Sequence, residues 1–293
     1  MTITAEQVKK LRDQTGAGMM ECKAALTEAN GNFEEANTIL RKRGLASAAK
    51  KAGRATSEGL IGLSLSADHS QGILVEVNCE SDFVARTEDF KQLISDVLAE
   101  IEKTGGNATD VWLKEPEGPI RRRVAAAIAK LGENMAVPRF VRYSSQGYVG
   151  QYLHQTGKIG VQVEFGGVTP AIHGREEFAT LVKDIAMQIA AASPEVARYL
   201  SRDSVPVDVL DKERAIYRAQ MENSGKPAQV IDKIVEGKLG SFFQQVVLLD
   251  QPFIREPKTS VKDVLAAANK ALGSSVAITR FARLKVGEST HDL

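Results

Sequence analysis

The chain has 293 residues, 43% of them apolar and 26% charged, which leaves room for two or three modest domains of ordinary globular composition. Its 38 Lys and Arg balance 37 Asp and Glu, which excludes a chain-wide nucleic-acid binder and leaves local patches to meet any charged partner. The two cysteines, Cys22 and Cys79, lie in separate segments, so neither a disulfide framework nor a CxxC pair exists and a reducing cytoplasm is the expected compartment.

Met1 to Glu6 carry neither the basic start nor the apolar core of a signal peptide. No stretch reaches the roughly 18 apolar residues of a membrane helix, so no membrane partner is expected. Residues 1–55 then read as a helical module and a basic linker. Thr4 and Gln7 form a capping box for a helix carrying Val8 and Leu11. Thr15-Gly16-Ala17-Gly18 breaks it. Met19, Cys22, Leu26 and Ala29 follow helical spacing as far as Asn30-Gly31-Asn32. Phe33, Ala36, Ile39 and Leu40 give a third short helix before Gly44. About forty residues make a small core, so this unit is expected to lean on a partner. Leu11, Met19 and Met20 therefore have two readings, as core or as contact, and the adjacent methionines cannot share one helical face. Residues 41–54 hold Arg41, Lys42, Arg43, Lys50, Lys51 and Arg54 without an acid and read as a basic helical linker, either a solvated connector or an RNA patch.

The middle of the chain repeats. Gly59-Leu60-Ile61-Gly62 leads to the strand Ile73–Val77 and then to a helix bearing Phe90, Leu93, Ile94, Val97, Leu98 and Ile101. Gly147-Tyr148-Val149-Gly150 leads to Ile159–Val163 and a helix bearing Phe178, Leu181, Ile185 and Ile189. The GxxG and the Phe-x-x-Leu recur at one offset, 88 residues. Each half reads as strand, turn, strand, helix, so the expected class is α+β with a duplicated core. Residues 56–143 make one core subdomain; residues 144–178 and 230–293 make the other. Residues 179–229 read as an inserted helical hairpin, suited to a coiled-coil or dimer arm or to packing on the core. Between the halves, Arg121-Arg122-Arg123 opens a short helix ending at Leu131. At the far end, residues 244–249 read as strand, 260–272 as helix and 276–286 as strand.

Catalytic motifs are missing. No GxxxxGK[ST], GxGxxG or GxSxG occurs, and the histidines at 69, 154, 173 and 291 form no zinc pattern. No cofactor is expected, and a binding protein is favoured over an enzyme. His154 lies between two strands of the second repeat, where a lone histidine is more often a turn residue than a catalyst. At the join after Val77, Cys79-Glu80-Ser81-Asp82-Phe83-Val84-Ala85-Arg86 has two readings. A helix starting at Ser81 makes Phe83, seven residues before Phe90, a first-turn core residue. Thr87-Glu88-Asp89 is also a good helix opening and leaves 79–86 as a connector.

Three stretches carry a resemblance. Leu11-Arg12-x-x-Thr15-Gly16-Ala17-Gly18-Met19-Met20-x-Cys22-Lys23-x-Ala25-Leu26 closely resembles the N-terminal signature of the bacterial elongation factor Ts family. Val75-Glu76-Val77-Asn78-Cys79-Glu80-Ser81-Asp82-Phe83-Val84-Ala85 resembles its second signature, usually written with Thr where Ser81 stands. The third is Ser224-Gly225-Lys226-Pro227 with Val235-Glu236-Gly237 and Gln251-Pro252-Phe253. The resemblance implies a ubiquitin-associated-like N-terminal module, a duplicated core and a coiled-coil arm through which a homodimer forms. It implies a guanine-nucleotide exchange factor acting on elongation factor Tu, in its GDP-bound and nucleotide-free states, without direct nucleic-acid contact. It assigns Ser81, Asp82, Phe83 and Val84 to disturbing the Mg²⁺ site of that GTPase. Leu11, Met19 and Met20 take contact with the GTPase domain, and His154 a lesser interface role. Family members often carry a C-terminal helix beyond the stretch matching Arg283–Glu288, so that contact is expected to be missing here. The alternative is an RNA-binding or adaptor protein using residues 41–54 and Arg121–Arg123.

Overall fold

The computed structural model describes residues 3–104, 113, 115, 118–221, 224 and 226–288. Gly225 of the third matching stretch, His291 and the residues after Glu288 lie outside the described residues. Two three-stranded antiparallel sheets lie face to face, with helices on both outer sides. The first sheet has order β1-β2-β3, from Glu58–Leu65, Gln71–Cys79 and Met135–Ser144. The second has order β4-β5-β8, from Tyr148–Leu153, Ile159–Gly166 and Ala277–Lys285. A two-residue strand, β6 (Pro252–Phe253), pairs with β7 (Glu256–Ser260) apart from both.

The central strand β2 is buried on both faces, which explains its nearly unbroken apolar run. Ile73, Val75 and Val77 pack on α5 (Glu88–Lys103) and α6 (Pro119–Leu131) through Phe90, Val97, Ile120 and Ile128. Leu74 points the other way and meets Ile61 and Leu284 between the sheets. On the second sheet, Val161, Val163 and Phe165 pack on α8 (Glu176–Ala191) and α11 (Val261–Leu272). Two polar residues on β2 are buried, Glu76 and Asn78, and Glu76 lies beside Arg139 with Nε to Oε2 at 2.7 Å. Its second oxygen accepts from the Gly287 N–H at 2.9 Å, which ties β2 to the end of β8. An ion pair so placed is expensive to break, because removing one partner strands the other in the interior.

The repeat is visible atom by atom. A Cβ at Gly59 would lie 2.2 Å from the Val77 carbonyl oxygen, and one at Gly147 would lie 2.1 Å from that of Phe165. A Cβ at Gly62 would meet Ile94 at 2.4 Å, and one at Gly150 would meet Val182 at 2.3 Å. Each residue and its neighbour recur 88 positions later. The GxxG is therefore a packing device: its first glycine lets adjacent strands pass, and its second lets the helix close on the sheet.

Several expectations are corrected. The third N-terminal helix does not stop before Gly44. After α1 (Ala5–Thr15) and α2 (Met19–Glu28), α3 runs from Phe33 to Lys51, so the basic linker is helical as expected but continuous with the third helix. Gly44 is buried there, and a Cβ on it would lie 3.6 Å from the Ala125 carbonyl oxygen, so a small residue lets α3 lie against α6. The two helices α9 (Val207–Ala219) and α10 (Ala228–Val246) form the hairpin. α8 lies on the second sheet because Phe178, Leu181, Ile185 and Ile189 form its buried stripe. Residues 244–249 are not a strand. Helix α10 continues through Val246, and Leu248–Asp250 form a 3₁₀ turn after an isolated bridge between Tyr199 and Val247.

Candidate functional site

β2 ends at Cys79, and the next residues form a one-turn helix, α4 (Asp82–Ala85), before α5 begins. Two caps separate these helices. Ser81 is extended (φ −127°, ψ 154°) and its Oγ accepts from the Val84 N–H. Thr87 caps α5 by accepting from the Phe90 N–H at 3.2 Å, while its own hydroxyl donates to the Val84 carbonyl at 2.8 Å. With two caps six residues apart, Phe83 cannot be a first-turn core residue of α5. It is 79% exposed. Its neighbours hold the turn down: Ala85 is buried, and Val84 packs against the first core.

Two carboxylates fasten this turn to the loop between α6 and β3. Glu133 accepts from the Ser81 N–H at 3.0 Å and from the Ser81 hydroxyl at 2.6 Å. Glu80 accepts from the Asn134 N–H at 2.6 Å, and the Asn134 amide donates to the Arg54 carbonyl at 2.8 Å. The Asn134 N–H, aided by Arg54, holds the Glu80 carboxyl below its ordinary range. Beneath the turn, burial pushes the Cys79 thiol up to about 12, and the nearby Glu133 charge adds to the effect. Cys79 is thus a neutral packing residue at physiological pH. Asp82 pairs with Arg86 at 2.7 Å on the exposed side of the turn, so its carboxylate stays within reach of a partner.

The second half supplies an internal control. Its counterpart of α4 is α7 (Pro170–His173), again 88 residues later and again one turn. Ile172 is buried, as befits the position matching Val84, but Ala171 stands where the first half has Phe83. The turn therefore folds without an aromatic, so Phe83 is surplus to the architecture.

The other predicted residues divide. Met19 and Met20, at 46% and 76% exposed, form an open pair at the start of α2. Leu11 does not join them. It is 1% exposed and packs with Val8, Cys22, Ala25 and Leu26, because a module this small needs every apolar side chain its helices turn inward. His154 is exposed in the β4–β5 turn, where its carbonyl accepts from the Gly157 N–H at 2.8 Å. Its Nδ1 lies 3.4 Å from the Tyr152 hydroxyl, a surface contact and not a catalytic pair.

These groups share one end of the stacked sheets. Glu58 lies opposite Cys79 in the strand register, and its carboxylate pairs at 2.5 Å with Lys158 in the turn that carries His154. The α1–α2 turn before Met19 rests on the Lys130 side chain, about which Gly16 packs. Lys130 in turn pairs at 2.7 Å with Asp89, in the first turn of α5. The sequence signals did not reveal Glu133 or Lys130. Among the described residues, no group of three or more His, Cys, Asp or Glu could hold a metal, and no helix is long and apolar enough to cross a membrane.

Residues 80–288 match the family model described as Elongation factor TS. Among curated proteins, the chain is similar to Elongation factor Ts of Aquifex aeolicus (strain VF5), 44% identical over 98% of this chain and 99% of that protein. It is likewise similar to Elongation factor Ts of Clostridium acetobutylicum, 43% identical over 98% and 93% of the two chains. Elongation factor Ts of Trichlorobacter lovleyi is 41% identical over 98% and 94%.

Proposed function

Because the chain belongs to the elongation factor Ts family, a family of translation elongation factors, we propose that it speeds GDP release from elongation factor Tu by wedging Phe83 into the region around that protein's Mg²⁺. The observation that carries this reading is an aromatic 79% exposed on a doubly capped turn, at a position where the repeat makes do with Ala171.

The physics of exchange sets what Phe83 must do. A GTPase holds GDP through a phosphate cradle and a Mg²⁺. A factor that binds the GDP form and the empty form equally well shifts nothing. The coupling is reciprocal, so an incoming nucleotide weakens the factor in turn. Several kcal/mol must therefore depend on the distorted partner. An aromatic contributes roughly 1.5–3 kcal/mol when buried. Phe83 gains that energy only when the partner opens a slot for it, which ties the gain to the open state. Asp82 stands beside it and acts by charge or hydrogen bonding near the ion; no covalent bond is made or broken. Ser81 and Val84 fix the turn. Met19 and Met20 supply adaptable apolar contact with the GTPase domain, as suits flexible thioethers, and His154 extends the same surface.

The hairpin belongs to this reading too. Val207, Ile216 and Val230 remain exposed on α9 and α10, the surface for self-association. Release of a fluorescent GDP from elongation factor Tu tests the main claim. Micromolar factor is expected to accelerate it, and an unchanged release rate overturns the reading.

A further inference from the structure

A single helical turn is a poor platform by itself, because nucleation costs more than one hydrogen bond returns. α4 has four residues, yet it carries the side chain that must be aimed. Its first anchor is Ser81, both of whose donors end on the two oxygens of one carboxylate, Glu133, 52 residues away in the chain. Bonds to a charged acceptor are roughly twice as strong as neutral ones. The same hydroxyl accepts from the Val84 N–H, so the carboxylate fixes the rotamer that caps the helix.

The second half shows that the clamp is not a requirement of the fold. Thr169 stands at the N-cap of α7, yet its side chain makes no capping bond. That junction closes through backbone proximity, since a Cβ at Gly167 would lie 2.6 Å from the Ser275 carbonyl oxygen. The half with an exposed aromatic has a carboxylate clamp, and the half with Ala171 closes without one.

From this pairing we infer that Glu133 is a positioning residue for nucleotide exchange. Its carboxylate holds Ser81 and thereby sets the direction in which Phe83 leaves the surface. The inference rests on the exchange reading above. Glu133 does not touch the partner's nucleotide; it keeps Phe83 from having to be ordered at the moment of binding, which preserves affinity for the open state.

The test is a double-mutant cycle on release of fluorescent GDP from elongation factor Tu, measured at saturating factor, with circular dichroism and thermal midpoint as fold controls. Glu133→Ala is expected to slow release about tenfold, the effect of losing one charged hydrogen-bond anchor. In a Phe83→Ala background, the same change is expected to slow it less than about twofold, since the groups then act through one side chain. Glu133→Gln should recover most of the rate, because its oxygen accepts from the Ser81 N–H and its amide donates to the Ser81 hydroxyl. Should Glu133→Ala melt, Glu133→Asp decides: it keeps the charge but is one methylene too short to span both groups, and the slowing is expected to persist. A folded Glu133→Ala or Glu133→Asp protein with a normal rate overturns the inference while leaving the exchange reading intact. An equal loss on both backgrounds, the mark of a merely structural role, does the same. Absence of acceleration by the unaltered protein overturns both.

Discussion

Leu11 and Met20 sit in the same three-helix module, one 1% and the other 76% exposed. Truncating the first leaves a hole among Val8, Cys22 and Leu26, whereas truncating the second removes only what a partner could touch. Leu11→Ala is expected to cost about 2–5 kcal/mol, read as a loss of hydrogen-exchange protection in α1 and α2. Met20→Ala should leave that protection unchanged and raise the factor concentration needed for half-maximal exchange by about tenfold, the equivalent of about 1.4 kcal/mol of lost contact. A Leu11→Ala protein with native protection would contradict the assignment. The signature containing both residues was legible in the sequence, but their separation was not. Helical spacing says which residues share a face, and only packing says which face turns inward. Phe83 posed the same problem. Its distance from Phe90 fits a helix's inner stripe, and the two caps at Ser81 and Thr87 put it outside. Glu133 gave no local signal, because its role exists only after β3 folds back beside β2.

At the scale of elements, the offset of 88 residues was the most informative pattern, since it predicted two like units from a few landmarks. The structure shows what the glycines do: Gly62 and Gly150 each lie under a helix side chain that a Cβ would strike. Gly62→Ala and Gly150→Ala are each expected to cost about 1–3 kcal/mol, a fall in thermal midpoint of about 2–4 °C for each kcal/mol. Gly240 in α10 has nothing within 4 Å of its Cβ position, so Gly240→Ala should be neutral or stabilising by about 0.5–1 kcal/mol. Equal stability of all three variants would contradict the packing account. Strand β3 was not read from the sequence. Met135–Ser144 contains Pro138, which argues against a central strand but is tolerated at an edge, the place β3 occupies. The continuity of α3 was hidden by Gly44, which reads as a break between two helical stretches and serves as a contact.

Over the whole molecule, the stacked sheets gather segments far apart in the chain at one end: the α2 methionines, the Phe83 turn and the His154 turn. The buried pair of Glu76 and Arg139, tied to Gly287, fastens the first half to the last strand. At the hairpin, exposed Val207, Ile216 and Val230 predict concentration-dependent self-association. Sedimentation velocity should show a dimer that Ile216→Glu shifts to monomer, and an unaltered protein that stays monomeric across the micromolar range would remove this role from the arm.

The central claim is that an aromatic surplus to the fold performs the exchange. Its most direct measurement is the rate of fluorescent GDP release from elongation factor Tu at saturating factor, for the unaltered protein and for Phe83→Ala. The account predicts equal circular dichroism and thermal midpoints, with release slowed by about tenfold or more, matching the loss of an aromatic's burial. A folded Phe83→Ala protein that releases GDP at the unaltered rate would contradict it.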